Sequence, residues 1–147
     1  SDMKKWTITE VEERLAEAAS VLKRLPEKKL QGYYTVWPEI TPEFSDLVGQ
    51  KDVKTLKPWP LPDAITRMEE CLSWTVGLEP VDGKIVWLRA SGARWKTVCW
   101  TVGLKRSAAH EHWLYGLCLI TLKLNRQQAP AKRSRRYIID LARESSR

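Results

Sequence analysis

Residues 94–116, RWKTVCWTVGLKRSAAHEHWLYG, decide most of the fold. Their pattern predicts two short helices broken at Gly103, because glycine readily takes the left-handed backbone that ends a helix. In the first helix, Val98 and Val102 would form an apolar inner face, and Cys99 is a small residue where the two helices would cross. This outline is typical of a helix-turn-helix unit, although any corner between two helices shares it.

The second helix of this segment is predicted to begin near Ser107, a residue type that caps helices well. One stripe at helical spacing would be buried, formed by Ala109, Trp113, Leu117, Ile120 and Leu124. The first turn is left free, and in helix-turn-helix proteins that turn enters the major groove of DNA. The candidate DNA-binding residues are therefore Lys105, Arg106, Ser107, His110 and Glu111 at the groove, with Arg94, Lys96 and Thr97 at the phosphates.

Basic residues are concentrated in the second half of the chain. Residues 84–147 contain 14 Lys and Arg against three Asp and Glu, a net charge of +11, whereas residues 1–83 carry −4. A concentrated positive field is expected of a surface that binds phosphates and releases counterions. The charge pattern therefore supports DNA binding, with a solvated basic surface that holds RNA without specificity as the alternative.

Size and composition indicate one compact core with appended segments. The chain has 147 residues, 43% of them apolar, and eight tryptophans. Its longest apolar stretch, 114–122, is far shorter than the roughly 20 residues that cross a bilayer. The three cysteines are odd in number and widely spaced, so we expect buried reduced thiols at Cys71, Cys99 and Cys118. These features predict a cytoplasmic protein without a membrane partner.

Proline content and charge divide the chain into three predicted regions. The regions are an N-terminal helix with a Pro/Trp-rich arm over 1–62, the helix-turn-helix domain over 63–126 and a basic tail over 127–147. The arm, from 26 to 62, has many aromatic residues but no long periodicity. We expect it to be extended and packed across helices, with a short helix near 42–48. A role in protein recognition stays open for it.

Helical periodicity predicts an all-α fold around the corner at Gly103. A first helix begins at Thr7, whose hydroxyl can form a capping box with Glu10, and ends at Pro26. Further helices are expected over 63–76 and 81–90. The residues predicted to lie inward on these three helices are Val11, Leu15, Ala18, Leu22, Leu25, Ile65, Met68, Leu72, Val76, Val81, Ile85 and Leu88.

The last helix of the domain is apolar on a second face as well. Leu119 and Leu122 lie off the buried stripe, so another element has to cover them. The N-terminal helix with its arm and a second copy of the protein are the two candidates, and a homodimer would suit two-fold symmetric DNA sites. The tail is expected to be a mobile arm in which Tyr137, Ile138 and Leu141 form one or two helical turns. Its candidate phosphate contacts are Lys132, Arg133, Arg135 and Arg136.

No arrangement of residues suggests catalysis. His110 and His112 are the only histidines and lie two apart on one helix, so they point to different faces. A zinc site needs four converging ligands. The chain has no glycine-rich phosphate loop, no Ser/His/Asp set and no activated cysteine. We therefore expect that the protein is not an enzyme and takes neither a metal nor a cofactor.

Several short runs carry a resemblance to known families. They are WT at 6–7, a helix ending in Leu-Pro at 25–26, WPE at 37–39, AITRMEE at 64–70, IVWLRA at 85–90 and RWK at 94–96. Over most of residues 6–125 they resemble an uncharacterised family of phage and prophage proteins. The second half is also similar to the four-helix domain of sigma-factor region 4, in which a helix ending in Arg-Ala-x-Gly precedes the helix-turn-helix.

The resemblance implies a double-stranded DNA-binding regulator of transcription in a phage or prophage. It leaves open a DNA-packaging adaptor of the small-terminase type. It also leaves open a regulator that binds a host protein such as RNA polymerase. Where proteins of this kind commonly carry Arg or small polar residues, this chain has His110, Glu111 and His112.

Overall fold

The structure is a computed structural model that describes residues 5–36, 59–127, 129 and 133–145. These residues form helices and no strand, so the predicted all-α class is confirmed for them. The helices are α1 (Ile8–Arg24), α2 (Glu27–Val36), α3 (Pro62–Trp74), α4 (Pro80–Ala90), α5 (Trp95–Val102), α6 (Arg106–Leu124) and α7 (Arg135–Ser145). Within the described ranges, no helix is both long enough and apolar enough to cross a membrane. The short helix predicted near 42–48 lies outside them.

Helix α1 begins with the capping box that its sequence predicts. The Glu10 N–H donates to the Thr7 hydroxyl oxygen, and the Thr7 N–H donates to the Glu10 carboxylate, both at 3.1 Å. These two bonds satisfy backbone donors that the helix start would otherwise leave open. The five inward residues predicted for this helix are all buried, namely Val11, Leu15, Ala18, Leu22 and Leu25.

One hydrophobic core joins α1 to α3, α4 and α6. Trp87 is fully buried in it, and its indole N–H donates to the buried Thr75 hydroxyl at 3.0 Å. The start of α1 is also tied to the end of α6, because the Asn125 side chain accepts from the Trp6 N–H at 2.7 Å and donates to the Trp6 carbonyl at 2.9 Å. Helices from both sides of the predicted division at residue 62 therefore share this core.

Residues 27–36 form α2, so the prediction of an extended arm from residue 26 is wrong for this part. Pro26 ends α1, yet its carbonyl accepts from the Lys29 and Leu30 N–H groups at 3.0 and 3.1 Å and so opens the next helix. Proline suits the start of a helix because it lacks an N–H that would go unpaired there. Leu30 is buried and anchors α2 on the core.

Two predicted inward residues, Val76 and Val81, are exposed instead, at 62% and 41%. Helix α3 ends at Trp74, and the turn that follows is closed by the Leu78 N–H donating to the Thr75 carbonyl, which takes Val76 off the helical stripe. In α4 the inward position beside Val81 belongs to Asp82, which is buried. A buried polar residue thus displaces the predicted apolar one.

Helix α7 covers the second apolar face of α6. Cys118 and Leu122 of α6 pack against Ile138, Ile139 and Ala142, and all five are at most 1% exposed. Of the two predicted candidates, the N-terminal helix takes a small part, because Ile8 of α1 also packs against this cluster, and a second copy is not needed to cover these residues. The prediction of a mobile tail is therefore wrong for residues 135–145.

Candidate nucleic-acid interface

Helices α5 and α6 meet at Gly103, where the sequence predicts a break. Gly103 has φ 71° and ψ 31°, which is left-handed backbone. Its N–H and that of Leu104 donate to the Cys99 carbonyl at 2.8 and 3.2 Å, so an orphan carbonyl at the end of α5 is satisfied. Nothing lies within 4 Å of where a Cβ on Gly103 would be, so backbone conformation and not space favours glycine here.

Helix α6 begins at Arg106, and its N-cap residue is Lys105. The prediction of a cap at Ser107 is wrong, because Ser107 already lies inside the first helical turn. No side chain caps this helix, so its first N–H groups have no side-chain acceptor among the described residues. Open N–H groups and the helix dipole both favour an anion at such a start.

The exposed side chains at this corner include most of the predicted DNA-binding residues. Arg94 and Lys105 occupy equivalent positions, since each is the N-cap residue of its helix, α5 and α6 respectively. Thr97 is half-buried. The exposed members of the predicted set on these two helices are Arg94, Lys96, Lys105, Arg106, Ser107, His110 and Glu111.

An aromatic cluster holds α5 against α6. The rings of Trp95 and Trp113 meet edge to face with centroids 5.6 Å apart, and the His110 ring is 5.4 Å from each. The guanidinium carbon of Arg89 lies 4.5 Å from the Trp95 ring centroid, and one of its nitrogens donates to the Ala93 carbonyl at 2.8 Å. Arg89 thus stabilises the packing of α5 on α6, and its guanidinium is engaged there instead of being available to a phosphate.

His112 faces away from His110, as their spacing predicts. Its Nδ1 lies 2.6 Å from a carboxylate oxygen of Asp82, whose side chain is 2% exposed. This contact joins α6 to the first turn of α4. In the described part of the chain, no three His, Cys, Asp or Glu side chains are grouped in a way that could hold a metal ion.

The start of α7 brings basic side chains alongside α6. A guanidinium nitrogen of Arg135 lies 3.6 Å from the Glu111 carboxylate, and its guanidinium carbon lies 5.8 Å from the Tyr115 ring centroid. Glu111 is one helical turn from Ser107, so Arg135 extends the surface that begins at the start of α6. The other predicted tail contacts are Arg133 and Arg136, which are exposed, and Lys132, which lies outside the described residues.

Trp100 on α5 is a surface residue that sequence reasoning missed. Its side chain is 80% exposed, the highest fraction among the large apolar residues of the described ranges. Val98, two positions earlier, is fully buried, and two helical steps turn the chain by about 200°. That spacing alone could have placed Trp100 on the outer face, one turn after Lys96.

Comparison with known proteins gives a family but no activity. No curated protein and no solved structure shows significant similarity to the chain. One family model, described as a domain of unknown function (DUF6362), matches residues 23–120. The match runs from the end of α1 into α6 and contains the whole corner at Gly103. Because it spans two thirds of the sequence, the chain belongs to this family, Domain of unknown function (DUF6362).

Proposed function

We propose that the protein binds double-stranded DNA with α5 and α6 acting as a helix-turn-helix. The observation that carries this proposal is the start of α6, where Lys105 and Arg106 are both exposed at a helix end that no side chain caps. In helix-turn-helix proteins the second helix places its first residues at the base edges of the major groove. The turn at Gly103 and the Trp95–Trp113 contact support this use, because they set α6 against α5.

The side chains at the corner divide into two roles. Arg106 can donate two parallel hydrogen bonds to a guanine, and Glu111 can accept from a cytosine amino group. Ser107 and His110 lie on the same exposed turns. Arg94, Lys96 and Thr97 at the start of α5 would bind phosphates, with Arg133, Arg135 and Arg136 of the C-terminal segment extending the basic surface.

The biological role that we propose is control of transcription. A DNA-packaging adaptor of the small-terminase type differs from it in stoichiometry, since packaging adaptors assemble as rings of many subunits. Light scattering or mass photometry separates the two, because a regulator is expected to be a monomer or a dimer. A homodimer would present two copies of α6 to a two-fold symmetric DNA site.

A second candidate, a regulator that binds a host protein, is favoured by Trp100. Tryptophan is enriched among the side chains that dominate protein interfaces, and this one is 80% exposed on α5. If protein binding is the main role, Trp100→Ala should abolish binding of the partner protein, and the unaltered protein should bind no duplex DNA at low salt. If DNA binding is the main role, Trp100→Ala leaves the DNA affinity nearly unchanged.

The test of DNA binding is a salt series with a fluorescent duplex, followed by anisotropy. Contact with about four phosphates predicts that log K falls against log[salt] with a slope steeper than about −3. The variant Lys105→Ala/Arg106→Ala should weaken binding strongly. Its matched control is Lys28→Ala/Lys29→Ala, which removes two charges from α2 that are also exposed.

The two double variants distinguish a specific surface from general attraction. Equal losses in both would mean that net charge and not the corner drives binding. If the unaltered protein shows no binding even at low salt, the DNA proposal is wrong.

A further inference from the structure

A groove of about 550 Å³ lies between the end of α6 and the turn that follows α3. Trp74 and Leu78 line one side, and Leu119, Ile120 and Leu122 of α6 line the other. The volume is within the range of roughly 300–1,000 Å³ that is usual for ligand sites in proteins. No residue of the corner at Gly103 takes part in it.

The rim of this groove is basic. Lys123 and Arg126 line it, both are exposed, and no Asp or Glu lines it. Within the described residues, neither cation forms an ion pair. An apolar floor with two uncompensated cations at its edge complements a partner that is apolar in the middle and acidic at the side.

The backbone at Arg126 gives a second, independent indication. Its φ is 58°, and it is the one non-glycine residue of the described ranges with a positive φ. The Gln127 N–H donates to the Leu122 carbonyl at 2.8 Å, so Arg126 occupies the left-handed position after α6 where glycine is normally favoured. An L side chain is strained there, and strain of this kind is concentrated at functional sites.

An exposed apolar residue adjoins the wall of the cavity in the sequence. Val76, 62% exposed, directly precedes Gly77 of the groove wall. A small molecule that fills the cavity would leave Val76 in water, whereas a helix laid along the groove could cover both. We infer that the groove binds an amphipathic helical segment of a partner protein, with apolar residues against Leu78 and Leu119 and Asp or Glu residues against Lys123 and Arg126.

This inference does not depend on DNA binding. Arg106 and Leu122 are 16 residues apart on α6, which corresponds to about 24 Å along the helix. The partner and a DNA duplex would therefore occupy opposite ends of the same helix. Either surface can fail in experiment without affecting the other.

The first test uses labelled synthetic peptides and fluorescence anisotropy. Each probe is a helix of about 18 residues with a Leu, Phe or Trp stripe flanked by Glu, and each has a twin with Lys in place of Glu. We expect saturable binding of at least one acidic probe by the full chain and much weaker binding of its basic twin. Lys123→Glu/Arg126→Glu should weaken binding of the acidic probe by about tenfold or more and strengthen binding of its basic twin.

A third variant separates a binding role of Arg126 from a structural one. Arg126→Gly removes both the cation and the strained backbone, so we expect a melting temperature a few degrees higher together with weaker binding of the acidic probe. Arg126→Lys should keep most of the affinity. Lys105→Glu, at the other end of α6, should leave peptide binding unchanged.

Three outcomes would overturn the inference. One is the absence of saturable binding for every acidic probe. Another is an unchanged affinity in the Lys123→Glu/Arg126→Glu variant. The third is binding of a simple aliphatic carboxylate such as decanoate in the groove with no binding of any peptide, which would make it a small-molecule site.

Discussion

Arg106 and Lys96 carry the same charge but are placed for different contacts. Arg106 is the first residue of α6 and is proposed to contact bases in the major groove of DNA. Lys96 lies in the first turn of α5 and is proposed to contact DNA phosphates. Arg106→Ala should therefore reduce the free energy of DNA binding by about 1–3 kcal/mol and relax base preference. Lys96→Ala should weaken all sequences alike and make the salt slope shallower. Anisotropy with a selected duplex and its scrambled version measures both effects.

Arg143→Ala is the control for these two variants, because Arg143 is an exposed arginine near the end of α7. It should change neither base preference nor the affinity for the selected duplex by much. If Arg106→Ala and Lys96→Ala gave the same small, sequence-independent loss, α6 would support the surface without contacting bases.

The pair of Glu17 and Arg67 makes the packing of α1 on α3 depend on pH. Two hydrogen bonds of 2.9 Å from Arg67 lower the pKa of Glu17 below its ordinary value of 4.5, against the opposing effect of partial burial. A lowered pKa stabilises the folded state above the ordinary value, and this contribution is lost as the pH falls through the lowered pKa.

Glu17→Gln should consequently lower the melting temperature only slightly, by about 1–3 °C near neutral pH, because both side chains are more than a third exposed. The gap between the variant and the unaltered protein should narrow once the pH falls below 4.5 and close as the pH passes through the lowered pKa. Thermal unfolding at a series of pH values checks this. A gap that stayed constant down to the acid limit would assign the effect to packing and not to charge.

Helices whose ends are set by local contacts could be predicted from the sequence. The capping box of Thr7 and Glu10 lies within four residues, and the turn at Gly103 needs only the glycine itself. Helix α2 could not be predicted, because a proline such as Pro26 indicates the end of one helix more strongly than the start of the next. The prediction of Ser107 as the N-cap residue is wrong because it assumes a cap with a side-chain hydrogen bond, whereas Lys105 is the N-cap residue and forms none.

Contacts between distant residues account for what the sequence could not predict. The Asp82 carboxylate can be buried because it has a partner in His112, 30 residues later in the sequence. No sequence pattern near Asp82 predicts this contact. Arg89 belongs to the aromatic cluster only once α5 packs on α6. At the candidate site, exposure of the charged residues could therefore be predicted, whereas the partners that position them could not.

Gly116 allows α6 to cross α4 closely. A Cβ at this position would lie 3.0 Å from a methyl group of Val86, a core residue that would have to shift by a few tenths of an ångström to make room. Gly116→Ala should therefore reduce the free energy of unfolding by about 1–3 kcal/mol, even though alanine favours helices. Chemical denaturation measures the change.

Gly32→Ala is the matched control in α2. Nothing lies within 4 Å of a Cβ there, so this variant should gain about 0.5–1 kcal/mol from helix propensity alone. If Gly116→Ala were stabilising to the same extent, the two helices would be able to separate without loss of packing.

At the scale of the whole molecule, α7 has two roles that experiment can separate. One side of it buries Cys118 and Leu122 of α6, and its first turn carries the exposed Arg135 and Arg136. The family match ends at residue 120, so α7 lies outside it. The helix completes the core of this chain and adds basic charge beside the proposed DNA surface.

Deletion of residues 134–147 should uncover the second apolar face of α6. Loss of that packing predicts a lower melting temperature and self-association, measured by thermal unfolding and light scattering. It should also change the chemistry of Cys118, because burial raises the pKa of this thiol to about 11 and so leaves little reactive thiolate. We expect rapid alkylation of Cys118 at about pH 8 only in the truncated protein.

Cys71 is the internal control, because burial raises its pKa to about 12 and its place between α1 and α3 should survive the deletion. The variant Arg133→Ala/Arg136→Ala tests the other role: it should weaken DNA binding while Cys118 stays protected, since both arginines are exposed. If the truncated protein stayed monomeric and stable with Cys118 still unreactive, residues 135–145 would not be required for stability or for protection of Cys118. Their contribution would then be to phosphate contacts and not to the core.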